Sequence, residues 1–138
     1  MTVDTDLQKV LDLINEANRP PYRDVSLEEA RAGYQILVNL FDTKSEKIYQ
    51  CEDRIIPGPA GNIPIRIYRP RKIYKYKKYG LFIYIHGGGY VIGDLNTHDN
   101  LCRRLANRGN CLVASVDYRL APEHPFPKGR DDCIASMN

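Results

Sequence analysis

The stretch Leu81-Phe82-Ile83-Tyr84-Ile85-His86-Gly87-Gly88-Gly89 decides how this chain is read. Five apolar residues in a row, without alternation, mark a strand covered on both faces, as in parallel sheets. Three consecutive glycines then exceed what a turn requires, since one or two suffice. A glycine run lets the backbone approach another group closely, and it lets neighbouring N–H groups point into one space. At the C-terminal end of a parallel strand, that space is where ligands bind in open α/β sheets.

Downstream, residues 97–108 carry Leu101, Leu105 and Ala106 and read as a helix that Gly109-Asn110 ends. Residues 111–116 form a second buried strand. Strand, helix, strand is one βαβ unit, so a parallel pairing is expected. Pro122, Pro125 and Pro127 make the next segment a rigid loop. A last helix begins near Lys128 and runs toward Asn138.

Upstream, residues 47–56 and 63–69 read as strands joined by the turn Pro57-Gly58-Pro59-Ala60-Gly61-Asn62, a hairpin. Ile63, Ile65 and Ile67 fall on one face. Residues 66–79 contain Arg66, Arg69, Arg71, Lys72, Lys75, Lys77 and Lys78 among Tyr74, Tyr76 and Tyr79. Basic residues between aromatics can bind nucleic acid. Lying between two strands, the run is read as a solvated loop, and no nucleic-acid partner is expected.

Two amphipathic helices come first. Leu7, Val10, Leu11 and Ile14 share one face of 5–18, which Pro20 and Pro21 stop. Ser26 and Glu29 form a capping box before a stripe of Leu27, Ala30, Tyr34, Leu37, Val38 and Phe41. The helices suit either a cap over the main fold or simple packing. The expected division is a helical cap segment, 1–46, and a core segment, 47–138.

At 138 residues, 43% hydrophobic and 27% charged, the chain can bury a core, and disorder is not expected. A net charge of +3 gives no reason to expect nucleic acid. No apolar run approaches the roughly 20 residues of a membrane span. The first residues lack the basic and apolar regions of a signal peptide, so a cytoplasmic location is expected. Cys51, Cys102, Cys111 and Cys133 are far apart and are read as free thiols, with no metal site.

The glycine loop could also cradle a phosphate. The run Gly87-Gly88-Gly89-Tyr90-Val91-Ile92-Gly93-Asp94 has neither the Lys-Ser/Thr ending of a P-loop nor the G-x-G-x-x-G spacing of a dinucleotide fold. Two convergent N–H groups suit instead the carbonyl oxygen of an ester, which becomes an anion in the tetrahedral intermediate.

The run from His86 through Asp94 and on through Leu95-Asn96-Thr97-His98-Asp99 resembles the oxyanion loop of the hormone-sensitive-lipase-like esterases. Asp117-Tyr118-Arg119-Leu120-Ala121-Pro122-Glu123-His124-Pro125-Phe126-Pro127 is similar to the segment after that family's fourth strand. The resemblance covers roughly residues 47–138. It implies the N-terminal part of an α/β-hydrolase fold: cap helices, a hairpin, then a βαβ unit of a mostly parallel sheet. It implies a carboxylic-ester hydrolase of the esterase or lipase type, acting on a small ester without a metal or organic cofactor. Gly88 and Gly89 would supply the oxyanion-hole amides, Gly87 would shape the loop, and His86 would orient it by hydrogen bonding. His98 and His124 are read as structural, because the family's triad histidine lies near the end of the full domain.

The nucleophile is missing. The family places its serine in G-x-S-x-G. Ser26, Ser45, Ser115 and Ser136 all lack glycine at both flanking positions, and no cysteine fits either. The acid and base would follow the serine, so none of the triad is present. The hole itself lacks the amide of the residue after the nucleophile. No esterase turnover is therefore expected from this chain alone. Three origins stand: a fragment of a longer product, one partner of a complementary C-terminal polypeptide, or an inactive remnant. A non-catalytic interaction protein using an exposed sheet edge, alone or as a homo-oligomer, is the alternative.

Overall fold

The computed structural model describes residues 3–72, 74 and 78–138. These form two compact units, Met1–Ala30 and Arg31–Asn138. In the first, α1 spans Thr5–Glu16, with the Asp4 carboxylate accepting from the amides of Asp6 and Leu7 at its start. Leu7, Leu11, Leu13 and Ile14 are exposed and Val10 is half-buried, so no residue of α1 is fully buried. Helix α2, Leu27–Phe41, begins with the capping box. The Ser26 amide donates to Glu29 Oε2 at 2.9 Å, and the Glu29 amide donates to Ser26 Oγ at 3.2 Å.

The second unit is built on a four-stranded sheet. Its strands are β1 (Gln50–Gly58), β2 (Gly61–Arg69), β3 (Leu81–Ile85) and β4 (Leu112–Val116). They lie in the order β1-β2-β4-β3. Helix α3, Asp99–Gly109, connects β3 to β4, and these two strands pair in parallel from Leu81 opposite Leu112 to Ile85 opposite Val116. The expected βαβ unit is therefore present. β2 runs antiparallel to both β1 and β4, which makes these four strands a mixed sheet rather than a mostly parallel one.

Pleating sends alternate residues to opposite faces. Ile63, Ile65 and Val116 pack with Tyr118 and with Cys133 of α4 (Lys128–Ala135) on one face. Tyr68 and Val113 pack with Cys102 and Ala106 of α3 on the other. The buried stripe of α3 is thus Cys102 and Ala106, and Leu101 is 43% exposed. All four cysteines are free.

Several boundaries move for local reasons. The hairpin ladder continues to Gly58 opposite Gly61, which shrinks the six-residue turn to Pro59-Ala60. β1 starts at Gln50 rather than 47 because α3 claims the preceding backbone. Asn100 donates from Nδ2 to the Thr43 carbonyl and accepts the Glu46 amide, while Asn107 donates to the Lys47 carbonyl. The same bonds place the expected boundary at 46/47 inside the second unit. α3 ends on Asn110, held left-handed at φ 46°.

β3 pairs with β4 alone among the described strands, so Leu81, Phe82 and Ile85 are 60%, 48% and 43% exposed. The apolar run is a strand of the parallel pair, and its free side is the exposed sheet edge that the missing nucleophile strand leads one to expect. The basic run also divides. Arg66 and Arg69 belong to β2, where Arg66 donates to both Asp53 carboxylate oxygens and to Asn96. Lys75, Tyr76 and Lys77 lie outside the described residues. Among the described residues, no helix is long and apolar enough to cross a membrane.

Asp99 joins the strands to α3. It accepts the hydroxyl of the fully buried Tyr68 at 3.1 Å and Nε of Arg103 at 2.6 Å, and it lies 3.5 Å from Arg66. Asp99→Ala strands the Tyr68 hydroxyl in the core. An orphaned buried donor costs about 1–3 kcal/mol, and urea denaturation of the variant is expected to show a loss in that range.

Candidate active site

His86 leaves β3 buried, at 3% exposure, and starts the glycine loop. Its Nδ1 lies 2.8 Å from the Gly87 carbonyl oxygen. A carbonyl only accepts, so Nδ1 is the donor of this bond. Nε2 is buried without a hydrogen-bond partner among the described residues. The ring stacks on Tyr118 at 4.4 Å between centroids and on His98 at 5.4 Å. His86 is thus fastened to the loop by a bond and by a column of rings.

The glycines do different jobs. Gly88 has φ +125°, and a Cβ there would collide with the Ile92 carbonyl oxygen, so only glycine fits. Its own carbonyl accepts the amides of Val91 and Ile92 at 3.1 and 3.0 Å. Gly89 has φ +60°, and Gly87 has open space around it. The tight turn is therefore shaped by Gly88, where Gly87 had been expected to do so. Gly93 is the second obligatory glycine: at φ +99°, a Cβ would lie 2.6 Å from His86 Nδ1.

Almost every loop carbonyl has a donor. The Tyr118 hydroxyl donates to the His86 carbonyl at 2.7 Å, and the Ala121 amide donates to that of Tyr90 at 2.8 Å. Arg31 Nε donates to that of Val91 at 3.0 Å. The amides of Gly88 and Gly89 donate to no acceptor among the described residues. A loop with occupied carbonyls and vacant amides presents positive dipole ends, which suits a developing negative charge.

Other groups brace this arrangement. Asp94 Oδ1 accepts the amides of Asn96 and Thr97, closing the turn into α3. Arg119 grips the buried Asp132 of α4 through Nε and Nη2, both at 2.8 Å. Burial raises the Asp132 carboxyl, but the bonds from Arg119 outweigh that and hold it below its ordinary range. Burial pushes the Tyr118 hydroxyl up to about 12, so it stays a donor.

His98 is the residue before α3, touching Thr97 Oγ1 through Nδ1 at 3.0 Å and Tyr34 through Nε2 at 3.4 Å. His124 lines a separate cleft of about 470 Å³ with Gly93, Asp94, Asp117 and Glu123; Gly88 and Gly89 do not line it.

No serine is placed to act as nucleophile. Ser26 caps α2, Ser115 is fully buried in β4, and Ser136 bonds back to the Cys133 carbonyl. Ser45 is exposed in the linker before β1. Among the described residues no cluster of His, Cys, Asp or Glu could hold a metal. Arg31 was absent from the sequence reading. Its signal was a charge four residues after Leu27 and three before Tyr34, on the apolar stripe of α2.

Residues 82–138 match the family model for the alpha/beta hydrolase fold. The chain is 40% identical over 97% of its length to Esterase LipI of Mycobacterium tuberculosis, covering 40% of that protein. The chain has the α/β-hydrolase fold. An arylesterase of Saccharolobus solfataricus is 33% identical over 99% of the chain, which covers 44% of it. The structure of an ester-hydrolase from the metagenome of Lake Arreo, solved with a bipyridine phosphonate derivative, superposes with a TM-score of 0.91. It is 37% identical, and the match covers 99% of this α/β-hydrolase chain and 44% of that one. The chain thus spans about two fifths of the length of the relatives it matches.

Burial, and then the nearby His86, lower the pKa of His98 below its ordinary value near 6.5. A histidine kept neutral binds fewer protons folded than unfolded, so its contribution is full above that value and is lost as pH falls toward the folded one. The urea midpoint is expected to drop between pH 7.5 and pH 5.5, and His98→Phe should flatten that dependence.

Proposed function

We propose that this chain supplies the oxyanion-hole loop of a carboxylic-ester hydrolase. The vacant, adjacent amides of Gly88 and Gly89, in a loop whose carbonyls are occupied, carry this reading. In ester hydrolysis the carbonyl oxygen gains negative charge as the nucleophile adds, and these two amides would donate to it. The esterase and ester-hydrolase names of the relatives support the reaction class. The nucleophilic serine, the acid and the histidine would come from polypeptide beyond these 138 residues, continuous with the chain or separate from it. Residues 1–46 would serve as a helical cap segment and 47–138 as the hydrolase core. Four free thiols suit a reducing compartment such as the cytoplasm.

The exposed β3 edge favours a second reading, a non-catalytic protein that pairs through that edge with a complementary polypeptide or a second copy. Activity separates the two. The purified chain is expected to show no hydrolysis of p-nitrophenyl acetate above background. Co-folded with the C-terminal three fifths of the 40%-identical esterase, it is expected to show turnover. Gly88→Ala, whose Cβ would collide with the Ile92 carbonyl and displace the amide, should lower that turnover by about 10²–10³, the usual loss of an oxyanion donor. A soluble hybrid without turnover would favour the binding reading.

A further inference from the structure

We propose that Arg31 is a positioning residue that holds the Gly88–Gly89 amide pair in place, an inference that rests on the oxyanion-hole reading above. Its guanidinium makes four hydrogen bonds to three chain positions. Nε donates to the Val91 carbonyl at 3.0 Å and Nη2 to the Ala121 carbonyl at 3.3 Å. Nη1 and Nη2 take the two Glu123 carboxylate oxygens at 2.6 and 2.9 Å. One planar fork therefore joins α2, the glycine loop and the proline-rich segment, which an ammonium group cannot do.

The residues Arg31 grips are the ones that hold the loop. The Val91 amide donates to the Gly88 carbonyl, and the Ala121 amide donates to the Tyr90 carbonyl. Gly88, Gly89 and Tyr90 all have positive φ, at 125°, 60° and 62°. For tyrosine that conformation is strained, and it persists only where surrounding bonds over-determine it. Arg31 and the backbone it fixes supply bonds of this kind, beside those from His86 and Tyr118.

The ion pair alone would not justify such a role. Its side chains are 34% and 48% exposed, and an exposed pair contributes little to stability. The two carbonyl bonds turn the pair into a clamp. Glu123 keeps the fork oriented, since the bonds from Arg31 hold its carboxyl down at about 2, charged at any physiological pH.

The experiment needs no turnover and uses the 138-residue chain. The ¹H–¹⁵N signals of Gly88 and Gly89, and hydrogen exchange at Val91 and Ala121, are compared in wild type, Arg31→Met, Arg31→Lys and Glu123→Gln. In Arg31→Met both glycine signals are expected to shift and broaden. Exchange at Val91 and Ala121 should rise about tenfold or more, while Val113 and Val116 in β4 keep their protection. Arg31→Lys should resemble Arg31→Met, because charge without the fork cannot bridge the three positions. Glycine signals unmoved in a folded Arg31→Met, or wild-type behaviour in Arg31→Lys, would overturn the proposal. Should Arg31→Met fail to fold, Glu123→Gln decides, with a smaller shift of the same signals expected and none overturning it. A hybrid without esterase turnover would count against the functional reading and leave this result standing.

Discussion

A peptide loop with bulk water on one side can satisfy its carbonyls and amides in many ways, and most of those ways move. In residues 86–91 of this chain, five carbonyls have donors within the fold: those of His86, Gly87, Gly88, Tyr90 and Val91. The donors come from a ring hydroxyl, an imidazole, three amides and a guanidinium. With the carbonyls held, the backbone has little freedom left, and the vacant amides of Gly88 and Gly89 stay at fixed positions. In the proposed reading, donors that need not reorganise as charge develops are what an oxyanion hole requires. The groups that hold the loop do so through its carbonyls.

Those groups are themselves anchored. Tyr118 follows β4 directly, packs with Ile63, Ile65 and Val116, and stacks on His86. Arg119 next to it is clamped to Asp132 of α4, where Gly129 lets the helix approach closely: a Cβ there would lie 2.6 Å from the Arg119 carbonyl oxygen. The Asp99 network ties α3 to β2 on the opposite face. The sheet thus works as a rigid plate with the loop at the end of β3, and helices on both faces transmit its rigidity to the loop. β3 is one of the two edges of that plate, with β4 its only described neighbour and an apolar free side.

Much of this was legible in residue order. The change from helical spacing to short apolar runs located the helices and strands, and the capping box placed the start of α2 to the residue. The glycine triplet and the block from Asp117 to Pro127 pointed to the fold, since both are local motifs. The errors share a cause. The apolar run located β3, but which strand lies alongside it is not recorded in the run itself. Arg66 was grouped with a solvated basic loop because its acids, Asp53 and Asp99, are 13 and 33 positions away. β1 was begun early because Asn100 and Asn107, which hold the preceding segment, lie in a helix that follows two more strands.

By itself, the order of residues settled what depends on near neighbours: element types, obligatory glycines, the absence of a usable serine and the fold class. Backbone sterics and capping bonds act within a few residues, so they leave their mark in short stretches of sequence. Only the folded chain decided which groups occupy the loop carbonyls, that Gly88 rather than Gly87 shapes the turn, and that Arg31 reaches Val91, Ala121 and Glu123. These contacts join positions 60 to 92 residues apart. Hydrogen bonds require atoms about 3 Å apart whatever their separation along the chain, and that proximity exists only once the sheet has formed.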